Sequence, residues 1–214
     1  MMMPAQQEFT VFVVDDEERV RRSVVNMLAS FGMHATAFDS TAAYLNAERP
    51  DMPACLVLDV QLPEVSGLEF QETIAAEEHP PIIFISGHGD IPTSVRAIKH
   101  GAVDFLTKPL HAETLLESIH TAIELDIGRR QARQANAILQ ERYKSLTPRE
   151  QQVLPLIVSG LMNKQGAAEL GISNITFQIH RGNIMRKMKA KSFADLVRAA
   201  AELRVPVSHS RDGV

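Results

Sequence analysis

Acidic, hydroxyl and ammonium side chains stand at four separate points of this chain, each shortly after a hydrophobic run. Asp15 and Asp16 follow the first run, Asp59 the second, Ser86 the third and Lys108 the fourth. Three carboxylates gathered in one place repel each other unless a divalent cation neutralises them. Oxygen ligands suit Mg²⁺, which also favours phosphate oxygens. A lysine and a hydroxyl beside that ion would complete a site that carries a phosphoryl group on an aspartate.

The hydrophobic runs explain how residues so far apart in sequence could meet. Each run is short and largely apolar, which is typical of a strand buried on both faces of a parallel sheet. Functional groups of such sheets gather at the carboxyl ends of the strands, so the five polar residues are expected in one pocket. Helical patterns separate five strands, and this alternation predicts a doubly wound α/β domain with a five-stranded parallel sheet. The predicted strands are TVFVV, HATAF, CLVLDV, IIFIS and VDFL.

The charge of the chain is divided unevenly between its two parts. Residues 1–128 hold 7 Lys/Arg and 20 Asp/Glu, a net charge of −13, whereas residues 129–214 hold 15 and 6, a net charge of +9. The total of −4 hides this asymmetry. A basic part of this kind attracts polyanions, and nucleic acid is the first candidate.

Most of the basic part, up to about residue 203, has a helical pattern. From His111 the pattern is helical for some thirty residues, with a possible break at Gly128 and a lapse of the apolar repeat across residues 129–136. A capping box follows, with Thr147 as N-cap, Pro148 at the first helical position and Glu150 two residues later. Four short helices are predicted, near 148–160, 164–170, 174–188 and 192–203. The predicted domains are an α/β domain (1–125), a helical linker (126–144), a small all-α domain (145–205) and a flexible tail (206–214).

Composition excludes several other classes of protein. The single cysteine, Cys55, lies in a predicted strand and rules out an internal disulfide framework. No secretory signal pattern and no run of 18 apolar residues is present, so a soluble, cytoplasmic protein with no membrane partner is expected.

Four motifs together resemble one family, the two-component response regulators of the FixJ/NarL class. They are VVDDE, CLVLDVQLPEVSGLE, FISGHGDIPTSVRAIKHGAVDFLTKP and SLTPREQQVLPLIVSGLMNKQGAAELGIS. The resemblance implies a receiver domain and a LuxR-type helix-turn-helix domain. It implies a transcription regulator that a sensor histidine kinase phosphorylates, and that binds promoter DNA as a homodimer and contacts RNA polymerase. It further implies a protein that is not an enzyme, although it assists its own phosphorylation and dephosphorylation.

The same resemblance assigns the metal ligands. Asp16, Asp59 and the backbone carbonyl of Gln61 would ligate Mg²⁺, and Asp15 would act largely through a metal-bound water. The family pattern makes Asp59 the phosphoacceptor, which attacks a phosphohistidine on the kinase.

The phosphoryl partners are assigned in the same way. Lys108 would pair first with the Asp59 carboxylate and then with the phosphoryl oxygens. Ser86 would donate a hydrogen bond to the phosphoryl group, and Phe105 would rotate with it. Pro109 is expected in cis.

The LuxR-type resemblance also places one helix in the DNA major groove. Its buried face is predicted to hold Phe177, Ile184 and Met188, with Gly171 in the preceding turn. The opposite face would offer residues to base edges, and neighbouring residues would contact phosphates or remain solvated. The predicted DNA-binding residues are Lys164, Thr176, Gln178, Ile179, Arg181, Gly182 and Arg186. Lys187 and Lys189 are further candidates for phosphate contacts or solvated charge, and His180 is expected to pack locally.

Three positions depart from the family pattern. Gln178 stands where a lysine is common, which removes a cation from the groove-facing surface. Gly166 replaces an isoleucine, which is expected to cost about 1 kcal/mol of helix propensity relative to Ala and to lose apolar packing. Leu110 replaces a common phenylalanine.

Three other function classes share part of the pattern. An aspartyl-nucleophile phosphohydrolase would need a second acid two positions after Asp59, where Gln61 cannot act as a general acid. A dinucleotide-binding domain would need GxGxxG after the first strand, and VVDDEERV contains no glycine. An adaptor that binds protein rather than DNA is the third alternative, and the net charge of +9 disfavours it.

Overall fold

Five parallel strands form the first part of the structure, a computed structural model that describes residues 8–87 and 91–206. The strands are β1 (Thr10–Val14), β2 (His34–Phe38), β3 (Ala54–Asp59), β4 (Ile82–Ser86) and β5 (Asp104–Thr107). They form one sheet in the order β2-β1-β3-β4-β5, with every pairing parallel. The predicted doubly wound α/β fold is confirmed.

The sheet is covered on both faces, which explains why its central strands are apolar. All residues of β1, β3 and β4 are buried. Alternate side chains enter two separate cores, so that Leu56 and Leu58 face one and Val57 and the free Cys55 face the other. Leu110, one of the departures from the family pattern, packs at the margin of the second core.

Five helices accompany the sheet. They are α1 (Glu18–Ser30), α2 (Thr41–Asn46), α3 (Gly67–Ile74), α4 (Ile91–Lys99) and α5 (Ala112–Lys144). The possible break at Gly128 is absent, since α5 runs through it without interruption. Glycine costs only about 1 kcal/mol relative to alanine in a helix interior, and the surrounding helix formers offset this. Over the described residues, no helix combines the length and the apolar character that a membrane crossing requires.

The chain divides into two compact units, Met1–Arg130 and Gln131–Val214. The second contains α6 (Pro148–Val158), α7 (Asn163–Glu169), α8 (Asn174–Lys187) and α9 (Phe193–Glu202), close to the four predicted helices. The predicted capping box is present, since the Thr147 hydroxyl accepts from the Glu150 N–H and the Glu150 carboxylate accepts from the Thr147 N–H. Of the predicted flexible tail, residues 207–214 lie outside the described residues.

The prediction that Gly166 loses apolar packing is wrong. Gly166 is buried in α7, and a Cβ atom placed on it would lie 2.5 Å from Cζ of Phe177. The fully buried Phe177 ring of α8 therefore occupies the space that a side chain at residue 166 would need. The two helices approach closely here because residue 166 has no side chain.

Candidate functional site

Three carboxylates converge at the carboxyl end of the sheet. Asp15 directly follows β1, Asp16 comes next, and Asp59 is the last residue of β3. One carboxylate oxygen from each lies within 4.8 Å of the others. Asp15 and Asp59 are buried, whereas Asp16 is exposed. The cluster is open to solvent on one side, and its all-oxygen donor set fits a hard divalent cation such as Mg²⁺.

Lys108 joins the two buried carboxylates. Its Nζ atom lies 2.7 Å from Oδ2 of Asp15 and 2.8 Å from Oδ2 of Asp59, with Glu17 Oε1 at 3.7 Å. Burial lowers the pKa of Lys108, but hydrogen bonds to Asp15 and Asp59 outweigh it, so the pKa lies above its usual value. The ammonium therefore stays charged and holds the two acids together.

The pKa of Asp15 is raised despite this ion pair. Burial disfavours its charged form, and the attraction of Lys108 offsets that penalty only in part. The nearby Asp59 carboxylate adds repulsion. Two buried acids and the exposed Glu17 thus share one lysine, and the pocket holds more negative than positive charge.

The remaining phosphoryl partners predicted from the family lie at neighbouring strand ends. Ser86 is buried at the end of β4, and its carbonyl accepts a hydrogen bond from the Lys108 N–H at 2.8 Å. Phe105 in β5 is half-buried, and its ring centroid lies 6.4 Å from that of Phe84. The Lys108–Pro109 peptide bond is cis, as expected.

Two residues that hold the acidic pocket in place were missed in the sequence. Arg21 of α1 donates from Nη1 to the backbone carbonyls of Asp15 and Asp16, at 2.7 and 2.8 Å. A Cβ atom on Gly67 would lie 2.3 Å from the carbonyl oxygen of Asp59. The signal for Gly67 was its place just after the N-cap serine of α3 in VSGLE, where only glycine permits so close a backbone approach.

A second candidate surface lies on α8. Of the predicted DNA-binding residues, Gln178, Ile179, Gly182 and Arg186 are exposed on this helix. Ile175, which was not predicted, is exposed on the same face. Lys164 is exposed on α7.

Other predicted DNA contacts have partners within the domain. Arg181 is half-buried, donates to Oδ1 of Asn163 at 3.1 Å and lies over the Phe193 ring at 5.5 Å. The Thr176 hydroxyl lies 2.8 Å from the Ser173 hydroxyl in the N-cap of α8. These contacts fix both side chains beside the exposed face.

Lys187 is neither a solvated charge nor a free phosphate contact. Its Nζ atom lies 2.6 Å from Oε2 of the buried Glu150 and 3.1 Å from the carbonyl oxygen of Ser145. The lysine thus links α8 to the start of α6 through an ion pair and a hydrogen bond. His180 is half-buried, but its buried Nδ1 atom has no hydrogen-bond partner within the described part of the chain.

Comparison with known proteins covers both units. Residues 11–120 match the response regulator receiver domain, and residues 144–200 match the bacterial regulatory proteins of the luxR family. The chain is 48% identical to nodulation protein W of Bradyrhizobium diazoefficiens over 207 residues, with 96% of this chain and 91% of that protein covered. It is 45% identical to the response regulator protein TmoT of Ectopseudomonas mendocina, with 92% and 90% covered.

Solved structures agree with these relatives. The structure of the response regulator StyR matches with a TM-score of 0.79 and 46% identity, covering 91% of this chain and 99% of that one. Full-length FixJ from B. japonicum matches with a TM-score of 0.54 and 37% identity, covering 93% and 98%. An acidic pocket on a receiver fold and an exposed helix on a LuxR-type domain thus occur together in one chain, which belongs to the FixJ-like response regulators, transcription regulators controlled by phosphorylation.

Proposed function

We propose that Asp59 is the phosphoacceptor of this regulator and that a cognate sensor histidine kinase is its donor. In the transfer, the P–N bond of a phosphohistidine breaks and a P–O bond to a carboxylate oxygen of Asp59 forms. The single observation that carries the proposal is the Lys108 ammonium, held within 2.8 Å of carboxylate oxygens of both Asp15 and Asp59. Phosphoryl transfer depends mainly on positioning and charge neutralisation, and this arrangement supplies both.

We assign a Mg²⁺ site to Asp15, Asp16, Asp59 and the backbone carbonyl of Gln61. Bound Mg²⁺ would neutralise charge on the carboxylate and phosphoryl oxygens. The Gln61 N–H donates to Oδ1 of Asp59 at 3.1 Å, which fixes the orientation of the acceptor carboxylate. Without a second acid at residue 61, the chain lacks the general acid of an aspartyl-nucleophile phosphohydrolase. We propose that the chain acts on its own acyl phosphate and not as an enzyme for other substrates.

We propose that phosphorylation of Asp59 changes the contacts of Ser86, Lys108 and Phe105, and that these changes shift α4. This helix exposes three aliphatic side chains on one face, Ile91 at 78%, Val95 at 44% and Ile98 at 46%. They form a self-complementary patch for a two-fold homodimer, which would present two α8 helices to adjacent half-sites of a promoter. RNA polymerase is the expected downstream partner, and the cytoplasm the expected location.

The test compares the wild type with Asp59→Asn, which keeps the shape of the acceptor but removes its nucleophilic oxygen. Both are treated with acetyl phosphate and Mg²⁺. Mass spectrometry then reports the phosphoryl adduct, light scattering the dimer, and gel retardation the affinity for DNA. Only the wild type is expected to gain the phosphoryl adduct, the dimer and the higher affinity for DNA.

Glu64→Gln is the matched control, since it neutralises an exposed carboxylate on the loop after β3. It should respond as the wild type does. An equal response by the Asn variant would show that Asp59 is not the acceptor.

A further inference from the structure

The outward face of α8 is apolar, although it belongs to the basic part of the chain. Ile175 is 71% exposed and Ile179 is 58% exposed. Large aliphatic side chains exposed together on one face mark a surface that binds a partner. The spacing of the exposed residues, i, i+3, i+4, i+7 and i+11, places them along one side of the helix; they are Ile175, Gln178, Ile179, Gly182 and Arg186.

Gly182 has no structural reason to be a glycine among the described residues. It lies in the interior of a 14-residue helix without a positive φ, and an added Cβ atom would meet nothing within 4 Å. A glycine here weakens the helix by about 1 kcal/mol relative to alanine. A glycine at residue 182 is explained if the surface of a bound partner approaches the helix backbone at this point.

Cations are held away from the centre of this face. Arg181 is engaged by Asn163 and Phe193, and Lys187 by Glu150. The exposed Arg186 lies near the C-terminal end of the helix. The centre therefore presents methyl groups, one amide and bare backbone, and these groups can discriminate between bases rather than attract phosphates.

Only one base edge in the major groove is apolar, the C5-methyl group of thymine. The side-chain amide of glutamine pairs with N6 and N7 of adenine. We propose that Ile175 and Ile179 read thymine methyl groups, that Gln178 pairs with adenine, and that Gly182 lets the helix backbone lie against the groove. This inference rests on the DNA-binding function and adds the chemical class of the bases that are read.

Replacing thymidine by deoxyuridine tests the inference, because it deletes only the methyl group. A duplex is first selected from a random-sequence pool with the full-length chain, acetyl phosphate and Mg²⁺. Each thymidine is then replaced singly. At one or more positions the wild type should lose about three- to fivefold in affinity, the scale of one buried methyl group. Ile175→Ala or Ile179→Ala should bind the thymidine duplex more weakly and lose the sensitivity at its own position.

The outcomes separate this inference from the function on which it rests. If a duplex is selected and every deoxyuridine version binds equally well, methyl recognition is overturned and DNA binding stands. If the pool yields no bound duplex at all, both are overturned.

Glycine-to-alanine exchanges test the close approach. Gly182→Ala should raise the melting temperature or leave it unchanged, yet weaken binding to the selected duplex by about tenfold. Gly128→Ala in α5 is the matched control, since Gly128 is also exposed in a helix with nothing within 4 Å of an added Cβ. Gly128→Ala should change the melting temperature in the same direction and leave the affinity for the selected duplex unchanged. Wild-type affinity in Gly182→Ala would overturn the close approach.

Discussion

Asp15 and Glu150 are both buried carboxylates paired with a lysine, and their pKa values shift in opposite directions. Lys108 lies 2.7 Å from Asp15, and Lys187 lies 2.6 Å from Glu150. The pKa of Asp15 is nevertheless raised, because burial outweighs its favourable contacts. The pKa of Glu150 is lowered, because Lys187 and the Thr147 N–H more than offset the effect of burial.

The number of acids per lysine accounts for part of this difference. Lys108 is shared with Asp59, whose charge also repels that of Asp15, whereas Glu150 is the acid that Lys187 contacts. An ion pair with its hydrogen bonds satisfied holds helices together. A cluster of acids with surplus negative charge and a perturbed pKa is a feature expected of a functional site, where a bound cation would offset the charge. We therefore propose that the lysine-paired acid of the receiver unit, Asp15, serves cation binding and that Glu150 of the DNA-binding unit serves folding.

Among substitutions at these two ion pairs, replacing either lysine by alanine should lower the free energy of unfolding the most. Lys108→Ala leaves two buried acids without a counter-charge and is expected to destabilise the receiver unit by about 3 kcal/mol. Mg²⁺ should restore most of that loss, because a cation can replace the ammonium. Hydrogen exchange of the β1 and β3 amides in the full-length chain measures the stability of the receiver unit with and without Mg²⁺.

Lys187→Ala is the matched comparison in the DNA-binding unit. It should destabilise α6 and α8, and Mg²⁺ should not restore them. Rescue of both variants by Mg²⁺, or of neither, would contradict the distinction between the two pairs.

Glu150→Gln should have a smaller effect, about 2 kcal/mol of lost stability at neutral pH. The lowered pKa means that ionised Glu150 stabilises the fold above its usual pKa of 4.5, and that this contribution is lost as pH falls through the folded value. The variant should therefore show a weaker loss of stability below pH 4.5 than the wild type. Urea unfolding at several pH values, followed through the α6 amides, measures both quantities. An unchanged acid dependence would remove Glu150 from this role.

Asp15→Asn should have the smallest effect and the opposite sign. With a raised pKa, ionised Asp15 destabilises the fold increasingly as pH rises above its usual 3.8 and through the folded value. The amide should therefore stabilise the receiver unit at pH 7 without metal, and by less near pH 4. It should also weaken the stabilisation by Mg²⁺. A loss of stability in metal-free buffer would show that the Lys108 pair outweighs burial.

Sequence patterns predicted the acidic pocket better than the α8 surface. Asp15, Asp59 and Ser86 each adjoin an apolar strand, and parallel strands bring such positions together whatever the details of packing. The partners of Arg181 and Lys187 could not be predicted, because Asn163 and Glu150 lie on other helices whose packing is not encoded in local periodicity. Ile175 was missed although a signal for it was present, since it lies four residues before Ile179 and therefore on the face opposite the predicted buried residues.

The fit of Phe177 against Gly166 constrains how this domain can evolve. Any larger residue at position 166 would collide with the ring, and a smaller residue at position 177 would leave a cavity beside α7. A substitution at either position alone therefore makes the domain less stable, whereas a larger residue at position 166 together with a smaller one at position 177 need not. Residues 166 and 177 should behave as an epistatic pair, so that relatives of this chain differ at both positions or at neither.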